Sequence, residues 1–522
     1  MKLMNARRRS TSAPHHNSTA ECESPTLTSR IGRVLDGVHM RQLLLVSSLC
    51  CIAACGVSRG PLDREGFSPP GSGASAGGSG SGNSAGARPD EAQGQPTGSL
   101  PVYDGGYWLQ LSADDSTSMA SAQLARLGTT TGLHRHEFLN YYDPAASLFD
   151  DEPWAVEEQL DPAIKLGASL VLSTDADGGT QAELLLQLRA KPVDPETRRA
   201  WHLVYCVDVS GSMAGDKIVF TRDALNRSLA HLRSGDRVSI VAFSNEAETR
   251  VSYAQWPQDE GAIRTAITGL EPTGGTNMIA GLNAAYDLAG QHLSAGTLSR
   301  VLLFGDGQAN VGDTDVQRFA SLTRNGNDEG IYLSSIGVGS DFDWNRMDTL
   351  ADSGKGASIF LPDAREVTRM FGSDFYKLVE VSADAVEVEL VLNDGFVLAD
   401  FSGEETSTNP NQRVPSTILS SGDDLTMLAR FHVTQQALDS PLSMRVSFKP
   451  LGSGQGVVTD RHFEFARDLV VTGGPLHART RLVDDYARWV TTGALGKDVV
   501  KSALSAHPVS DPGLAEILQL LQ

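Results

Sequence analysis

A carboxylate and two hydroxyl groups follow a short apolar run near the middle of the chain. The run, Leu203 to Val207, is mostly β-branched, aromatic or aliphatic, which is typical of a strand buried on both faces of a parallel sheet. Asp208, Ser210 and Ser212 come next, at every second position. Ligands of open α/β sheets bind at the carboxyl ends of the strands. Oxygen ligands without Cys or His suit Mg²⁺, Mn²⁺ or Ca²⁺ rather than zinc.

Two later stretches strengthen this interpretation, because Asp-x-Ser-x-Ser alone is common enough to occur by chance. The glycine-rich loop 274–277 places the hydroxyl of Thr276 at the start of a helical pattern. Asp306 ends a second buried run, 301–305. Three strand-end loops therefore carry the candidate ligands.

This order of residues resembles the metal-ion-dependent adhesion site of von Willebrand factor A (VWA) domains, and the resemblance extends over about 201–379. The matching positions are Asp208, Ser210, Ser212, Thr276 and Asp306. The resemblance implies a divalent cation, with Mg²⁺ expected first and Mn²⁺ or Ca²⁺ as alternatives. Asp208 is expected as the direct carboxylate ligand and Asp306 as a ligand through water, while Asn310 either orients the Asp306 loop or caps a turn. It also implies that an Asp or Glu carboxylate of a protein partner completes the coordination of the cation.

Strands and helices alternate around this stretch, which predicts an α/β fold class. We expect a Rossmann-like VWA domain, with a central, mostly parallel sheet and helices on both faces. Period-two apolar patterns on either side favour antiparallel strands, so this domain is inserted in or flanked by a β-sandwich-like region, with helices at the C-terminus. The predicted divisions are an N-terminal α+β region (101–198), the VWA domain (199–380), a β-rich region (381–472) and a helical segment (473–522). This layout, with the 115–142 region, resembles bacterial VWA lipoproteins that have a family-specific N-terminal region and C-terminal domain.

The N-terminal hundred residues have the features of an exported, lipid-anchored protein. We interpret residues 1–39 as a non-structural extension and 40–55 as a signal peptide, whose apolar run is too short to span a bilayer. The signal ends in Ile52-Ala53-Ala54-Cys55, which resembles the lipobox of bacterial lipoproteins and implies lipidation of Cys55. The alternative is an ordinary cleaved signal with an incidental cysteine. Because Gly56 and not aspartate follows Cys55, the outer membrane of a diderm bacterium is favoured, and a flexible Gly/Ser-rich linker (56–100) would hold the folded part away from it.

The charge balance and the cysteines exclude two classes of protein. The chain has 43 Lys and Arg against 64 Asp and Glu, a net charge of -21. Phosphate backbones repel such an acidic chain, so we expect no nucleic-acid partner. Only Cys206 lies in the predicted folded part, where we interpret it as a packing residue, and a disulfide framework is therefore excluded.

Motifs for catalysis are incomplete. His136 and Glu137 begin a zinc-protease pattern, but Asn140 stands where the second histidine ligand must be. We find no nucleophile with an adjacent base, and we predict no catalytic residues and no enzymatic activity. The predicted function is that of a cell-envelope lipoprotein that binds a protein partner through the cation. Two alternatives stay open: an envelope hydrolase or other enzyme that uses the VWA domain to recruit substrate, and a structural scaffold with a vestigial metal site.

Overall fold

The computed structural model describes residues 100, 106–113, 115–142, 146–174, 178–339, 341–450, 455–507 and 511–522. The predicted extension (1–39), the signal peptide with Cys55 (40–55) and nearly all of the linker (56–100) lie outside these residues. Within the described part, no helix combines the length and the apolar character that crossing a bilayer requires.

The N-terminal region contributes strands and short helices before the central domain. Its strands are β1 (Gly106–Ser112), β2 (Val156–Asp161), β3 (Ile164–Thr174) and β4 (Thr180–Ala190). Its helices are α1 (Ala120–Ala125), α2 (His136–Tyr141) and α3 (Ala146–Asp150). The alternating runs 163–172 and 181–190 predict a hairpin, and β3 and β4 do pair antiparallel from end to end. The sequence pattern also predicts a helix over 116–127. Helix α1 begins later, because the Asp115 carboxylate accepts the backbone N–H groups of Thr117 (2.6 Å) and Ser118 (2.7 Å) in place of helical hydrogen bonding.

The central domain contains one sheet of six strands in the order β10-β9-β8-β5-β6-β7. The strands are β5 (Ala200–Asp208), β6 (Arg237–Phe243), β7 (Ala247–Gln255), β8 (Thr297–Gly305), β9 (Ile331–Val338) and β10 (Ser358–Leu361). All neighbours are parallel except β6 and β7, and β7 is an edge strand that the sequence patterns did not predict. The helices are α4 (Asp216–Ser228), α5 (Glu260–Thr268), α6 (Met278–Gln291), α7 (Val316–Asp328), α8 (Trp344–Ser353), α9 (Ala364–Thr368) and α10 (Phe375–Val379). The sequence pattern over 364–379 predicts one continuous helix, but a π-helical turn, Arg369–Ser373, divides α9 from α10.

Strand β5 lies between two helical layers. Leu203, Tyr205 and Val207 share an apolar core with α4 and α5 on one face. Val204 and Cys206 share another core with α6 on the opposite face. Because successive strand side chains point to opposite faces, an uninterrupted apolar run can fill both cores. This packing fixes β5 in the sheet and leaves its carboxyl end at the sheet edge.

The C-terminal region adds strands and then helices. Its strands are β11 (Val381–Asn393), β12 (Phe396–Phe401), β13 (Glu405–Ser407), β14 (Thr417–Ser420), β15 (Asp424–Val433), β16 (Leu442–Pro450) and β17 (Val457–Phe463). Its helices are α11 (Gln435–Leu438), α12 (Pro475–Thr492), α13 (Lys497–Ala506) and α14 (Pro512–Leu520). The period-two pattern predicts the last strand at 462–465, whereas β17 begins and ends earlier in the chain. The pair Asp511-Pro512 predicts a helix cap, and the Asp511 carboxylate accepts the backbone N–H of Leu514 at 2.9 Å at the start of α14.

Strands from both flanks of the central domain form two shared sheets. One sheet runs β13-β1-β11-β16-β17, with β14 also paired to β11, and the other runs β12-β15-β4-β3-β2. Strand β1 pairs with β11, and β4 pairs with β15, in each case across the whole central domain in sequence. Apolar side chains of both sheets form one core. The flanking strands therefore build a β-sandwich that the α/β domain interrupts, as the period-two patterns predict.

Candidate metal-binding site

The site begins with Asp208, the last residue of β5. Its side chain is 0% exposed. Oδ1 accepts the backbone N–H of Ser210 at 2.7 Å, which folds the chain back over the carboxylate. Among the residues that the structure describes, Oδ2 has no hydrogen-bond partner. A Cβ on Gly305 would lie 3.3 Å from this oxygen, so the end of β8 approaches Asp208 closely.

Backbone hydrogen bonds tie the Ser210 loop to its neighbours. The N–H of Val209 donates to Phe243 O (2.8 Å), and the N–H of Gly211 donates to Gly274 O (3.0 Å). The hydroxyls of Ser210 and Ser212 are 3.0 Å apart. Ser210 is buried whereas Ser212 is exposed, so this pair of hydroxyls reaches from the buried carboxylate to solvent.

Thr276 is positioned by Asn310. The Asn310 side-chain oxygen accepts the backbone N–H of Thr276 at 2.9 Å, and Thr276 O accepts the N–H groups of Asn310 and Val311, both at 3.1 Å. The Thr276 side chain is 0% exposed, and its Oγ1 has no hydrogen-bond partner in the described part of the chain. The structure therefore assigns Asn310 to the Thr276 loop, where the sequence had offered the Asp306 loop or a turn cap.

Asp306 has a partner that the sequence patterns did not reveal. Its Oδ2 accepts the Lys217 ammonium at 3.1 Å, and its Oδ1 accepts the backbone N–H of Gln308 at 3.1 Å. The same ammonium lies 2.6 Å from Oδ1 of Asp341, which is exposed. Lys217 lies in the first turn of α4, five residues after Ser212. Its position was visible in the sequence, but its contact with a residue 89 positions away was not.

Burial dominates the electrostatics of Asp208. Loss of water around the carboxylate raises its pKa from 3.8 to about 7. The hydrogen bonds from Ser210 oppose this rise, the neighbouring Asp306 charge adds to it, and the Lys217 charge opposes it. An ionised Asp208 is therefore costly in this environment unless a cation lies beside it.

The donor set fits a hard divalent cation. Two buried oxygens, Asp208 Oδ2 and Thr276 Oγ1, lack partners among the described residues, and the hydroxyls of Ser210 and Ser212 lie on the adjoining loop. Buried polar atoms normally have a partner, so these two oxygens at one sheet edge are the atoms that a bound cation would contact. These atoms are the oxygen donors that Mg²⁺, Mn²⁺ and Ca²⁺ accept.

The residues considered for catalysis have structural contacts. The Asn140 side-chain amide donates to the backbone carbonyls of Asp115 (2.9 Å) and Ser118 (2.8 Å), which fastens α2 to the preceding turn. Cys206 is 0% exposed, and burial raises the pKa of its thiol, which disfavours the reactive thiolate. Its packing in the core of β5 is the role that the sequence predicts.

One family model matches the stretch of sequence that carries the candidate site. The model of the von Willebrand factor type A domain matches residues 203–308, which include all five predicted ligands. The uncharacterized protein YfbK of Escherichia coli (strain K12) is 28% identical over 271 residues, covering 50% of this chain and 45% of that protein. Inter-alpha-trypsin inhibitor heavy chain H2 of Mesocricetus auratus is 29% identical over 168 residues, covering 30% of this chain and 17% of that protein. The chain thus spans less than half the length of each of these two relatives.

Similarity to solved structures is found at low sequence identity. A von Willebrand factor type A protein from Catenulispora acidiphila matches with a TM-score of 0.43 and 15% identity, over 67% of this chain and 84% of that one. The family match over 203–308 coincides with the strands and loops that carry the candidate ligands. This chain contains a von Willebrand factor type A domain.

Proposed function

We propose that the chain binds a protein partner through a divalent cation at the carboxyl edge of its central sheet. The observation that supports this most directly is the pair of buried oxygens, Asp208 Oδ2 and Thr276 Oγ1, without partners in the described part of the chain. Asp208, Ser210, Ser212 and Thr276 would hold the cation, with Asp306 alongside. A bound cation would supply Lewis-acid attraction for a carboxylate.

The protein's own donors leave room for a partner's carboxylate. Asp208 brings one full negative charge, while Ser210, Ser212 and Thr276 bring neutral oxygens, and Asp306 already pairs with Lys217 at 3.1 Å. A divalent cation on these donors keeps part of its charge uncompensated, which favours an Asp or Glu from a second protein. The net charge of -21 opposes an acidic partner only weakly beyond about 8–10 Å at physiological salt. The cation therefore decides binding at close range.

We also propose that the chain is anchored in the cell envelope through a lipid on Cys55, with the outer membrane favoured. The support is the sequence pattern Ile52-Ala53-Ala54-Cys55 and the Gly/Ser-rich stretch after it. A stable anchor needs more than one acyl chain, so the attachment should resist a salt wash. The Cys55→Ser variant should leave the membrane fraction and take up no radioactive palmitate. Retention of the variant in the membrane, with no label in the wild type, would contradict the anchor.

The metal proposal is tested by calorimetric titration of Mg²⁺, Mn²⁺ and Ca²⁺ into three proteins. The wild type should bind one cation at this site, and Asp208→Ala should lose that binding while keeping its fold. Asp287→Ala, which removes an exposed aspartate on α6, serves as the matched control and should bind as the wild type does. Equal binding by Asp208→Ala would mean that the site lies elsewhere, and no binding by any of the three would favour a scaffold with a vestigial site.

Partner binding is tested by recovery of proteins from solubilised envelope on the wild type, with magnesium or with chelator. Bound partners should be released by chelator and should be absent from the Asp208→Ala protein. Partners that stay bound in chelator and on Asp208→Ala would rule out cation-mediated binding.

A further inference from the structure

A second cluster of metal-ligand side chains lies away from Asp208, where three segments of the chain meet. His134 and Glu137 come from the N-terminal region, Asp348 from α8 and Glu404 from the turn before β13. The His134 Nδ1 atom lies 3.9 Å from Glu137 Oε1, 3.7 Å from Asp348 Oδ2 and 3.6 Å from Glu404 Oε1. One imidazole nitrogen thus lies near the carboxylate oxygens of three different residues.

Neighbouring residues hold the cluster in place. Ser121 links its two N-terminal members, since its N–H donates to Glu137 Oε2 (2.5 Å) and its Oγ accepts the N–H of His134 (2.8 Å). The imidazole ring stands edge-on against Trp344, with ring centroids 4.7 Å apart and an angle of 77°. Glu137 and Asp348 are 0% and 5% exposed. The geometry is therefore fixed before any ligand arrives, which lowers the entropic cost of binding one.

The spacing in this cluster is that of atoms around a metal ion. The three distances of 3.6–3.9 Å exceed those of an N–H···O hydrogen bond, about 2.7–3.2 Å. Ligands about 2.1 Å from a tetrahedral metal lie about 3.4 Å from one another. The candidate atoms of His134, Glu137 and Asp348 all lie within 4.8 Å of one another. A contraction of well under 1 Å per side chain would bring them to coordination distance.

We propose that His134, Glu137, Asp348 and Glu404 bind a divalent transition-metal ion of the zinc class. An imidazole nitrogen combined with carboxylates favours such an ion over Mg²⁺ or Ca²⁺, which prefer oxygen alone. The ion would link the N-terminal region, helix α8 and the β12–β13 connection. This site shares no residue with the Asp208 site and does not depend on the function proposed for it.

The test uses the full chain in the Asp208→Ala background, with its accessible thiols alkylated so that the N-terminal cysteines do not bind metal. Zn²⁺ itself is the probe, titrated calorimetrically. The background protein should bind Zn²⁺ in a saturable step, and His134→Ala should weaken that step at least tenfold. His507→Ala, at the end of α13, removes another histidine and should leave the affinity unchanged. Equal affinity of the His134→Ala protein and its parent, or no saturable binding by the parent, would overturn the proposal.

A second variant tests the same site at a position where a substitution should not disturb folding. Glu404 has a side chain that is 36% exposed, so Glu404→Gln removes a charge without disturbing a core. It should weaken Zn²⁺ binding severalfold and reduce the rise in the thermal unfolding midpoint that Zn²⁺ causes, because a ligand that binds the folded state stabilises it. An identical rise in the midpoint of Glu404→Gln and of its parent would remove Glu404 from the site.

Discussion

Asp208 and Asp236 are aspartates of the same sheet and both are 0% exposed, but their carboxylates are satisfied differently. Asp236 lies directly before β6. It accepts both terminal nitrogens of Arg198 (3.0 and 2.5 Å) and the backbone N–H groups of Trp201 (2.8 Å) and Arg233 (2.7 Å). Both of its oxygens are occupied by donors, and its charge is balanced by a buried guanidinium.

Asp208 lies at the other end of the strands, and its carboxylate accepts fewer hydrogen bonds. Ser210 supplies its backbone N–H at 2.7 Å, and Oδ2 has no hydrogen-bond partner in the described residues. Lys217, whose charge acts on Asp208, donates its hydrogen bond to Asp306 instead. Burial therefore does not mark a functional carboxylate by itself. Within the part of the chain that the structure describes, the distinguishing feature is a carboxylate oxygen that accepts no hydrogen bond and a charge that no side chain neutralises. A metal ion can contact that oxygen and neutralise that charge.

The largest expected effect on stability follows from removing the carboxylate of Asp236, which is fully hydrogen-bonded. Asp236→Ala leaves the Arg198 guanidinium buried without its partner, so the free energy of unfolding should fall by about 3–5 kcal/mol. Urea denaturation measures this, with Asp287→Ala as the control for loss of an exposed aspartate. A loss below about 1 kcal/mol would mean that Arg198 finds other acceptors, and the comparison with Asp208 would then fail.

A smaller effect of opposite sign is expected from Asp208→Asn in metal-free protein. The pKa of Asp208 is about 7 in the fold and 3.8 without it, so the folded state binds an extra proton between these values. The stability associated with the neutral carboxyl is complete below about pH 4 and is lost as the pH rises through 7. The Asn variant avoids this loss and should exceed the wild type by about 2 kcal/mol at pH 8 but match it near pH 4.

Urea denaturation in chelator at the two pH values measures that difference. Mg²⁺ should then stabilise the wild type at pH 8 more than it stabilises Asp208→Asn, because only the wild type gains a compensating cation beside a full negative charge. A difference between the two proteins that does not change with pH would show that folding leaves the pKa of Asp208 unshifted.

The sequence predicts the position of the candidate ligands because they follow strand ends. Asp208 and Asp306 each end an apolar run, and the rule that parallel strands meet at one edge brings distant loops together. The same reasoning predicted the sandwich, since alternating runs on both flanks require a shared core. Strand β7 was not predicted, because only one of its residues is buried and its sequence lacks a regular apolar period.

The partners of these residues could not be predicted in this way. Neither the Arg198–Asp236 pair nor the Lys217–Asp306 contact has a local sequence signal, because each joins side chains from separate elements. Polar and charged residues are usually exposed, so a sequence alone predicts exposure for all of them. Only the fold shows which of these residues are buried against each other. The occupied and the unused carboxylates therefore look alike in the sequence.

A substitution of Lys217 gives the smallest expected effect and tests the comparison of Asp208 with Asp236. Its ammonium contacts Asp306 at 3.1 Å and opposes the rise in the pKa of Asp208, so its positive charge reaches the space that a cation would enter. Lys217→Met keeps most of the apolar side chain and removes the charge. Removing the charge ends its repulsion of the cation and leaves Asp306 Oδ2 available to interact with the metal. The affinity for Mg²⁺ should therefore rise about tenfold, equivalent to about 1.4 kcal/mol.

Calorimetric titration of Mg²⁺ at two salt concentrations measures this effect and separates it from general electrostatics. Lys165→Met removes a positive charge from β3 in the sandwich and should change the affinity little. The gain in Lys217→Met should persist at high salt, because screening is weak between partly buried charges at short range. An affinity that falls on removal of Lys217 would reverse the interpretation. Lys217 would then hold Asp306 in place for the metal, and the ion pair would be part of the site, comparable to the Arg198–Asp236 pair at the opposite end of the sheet.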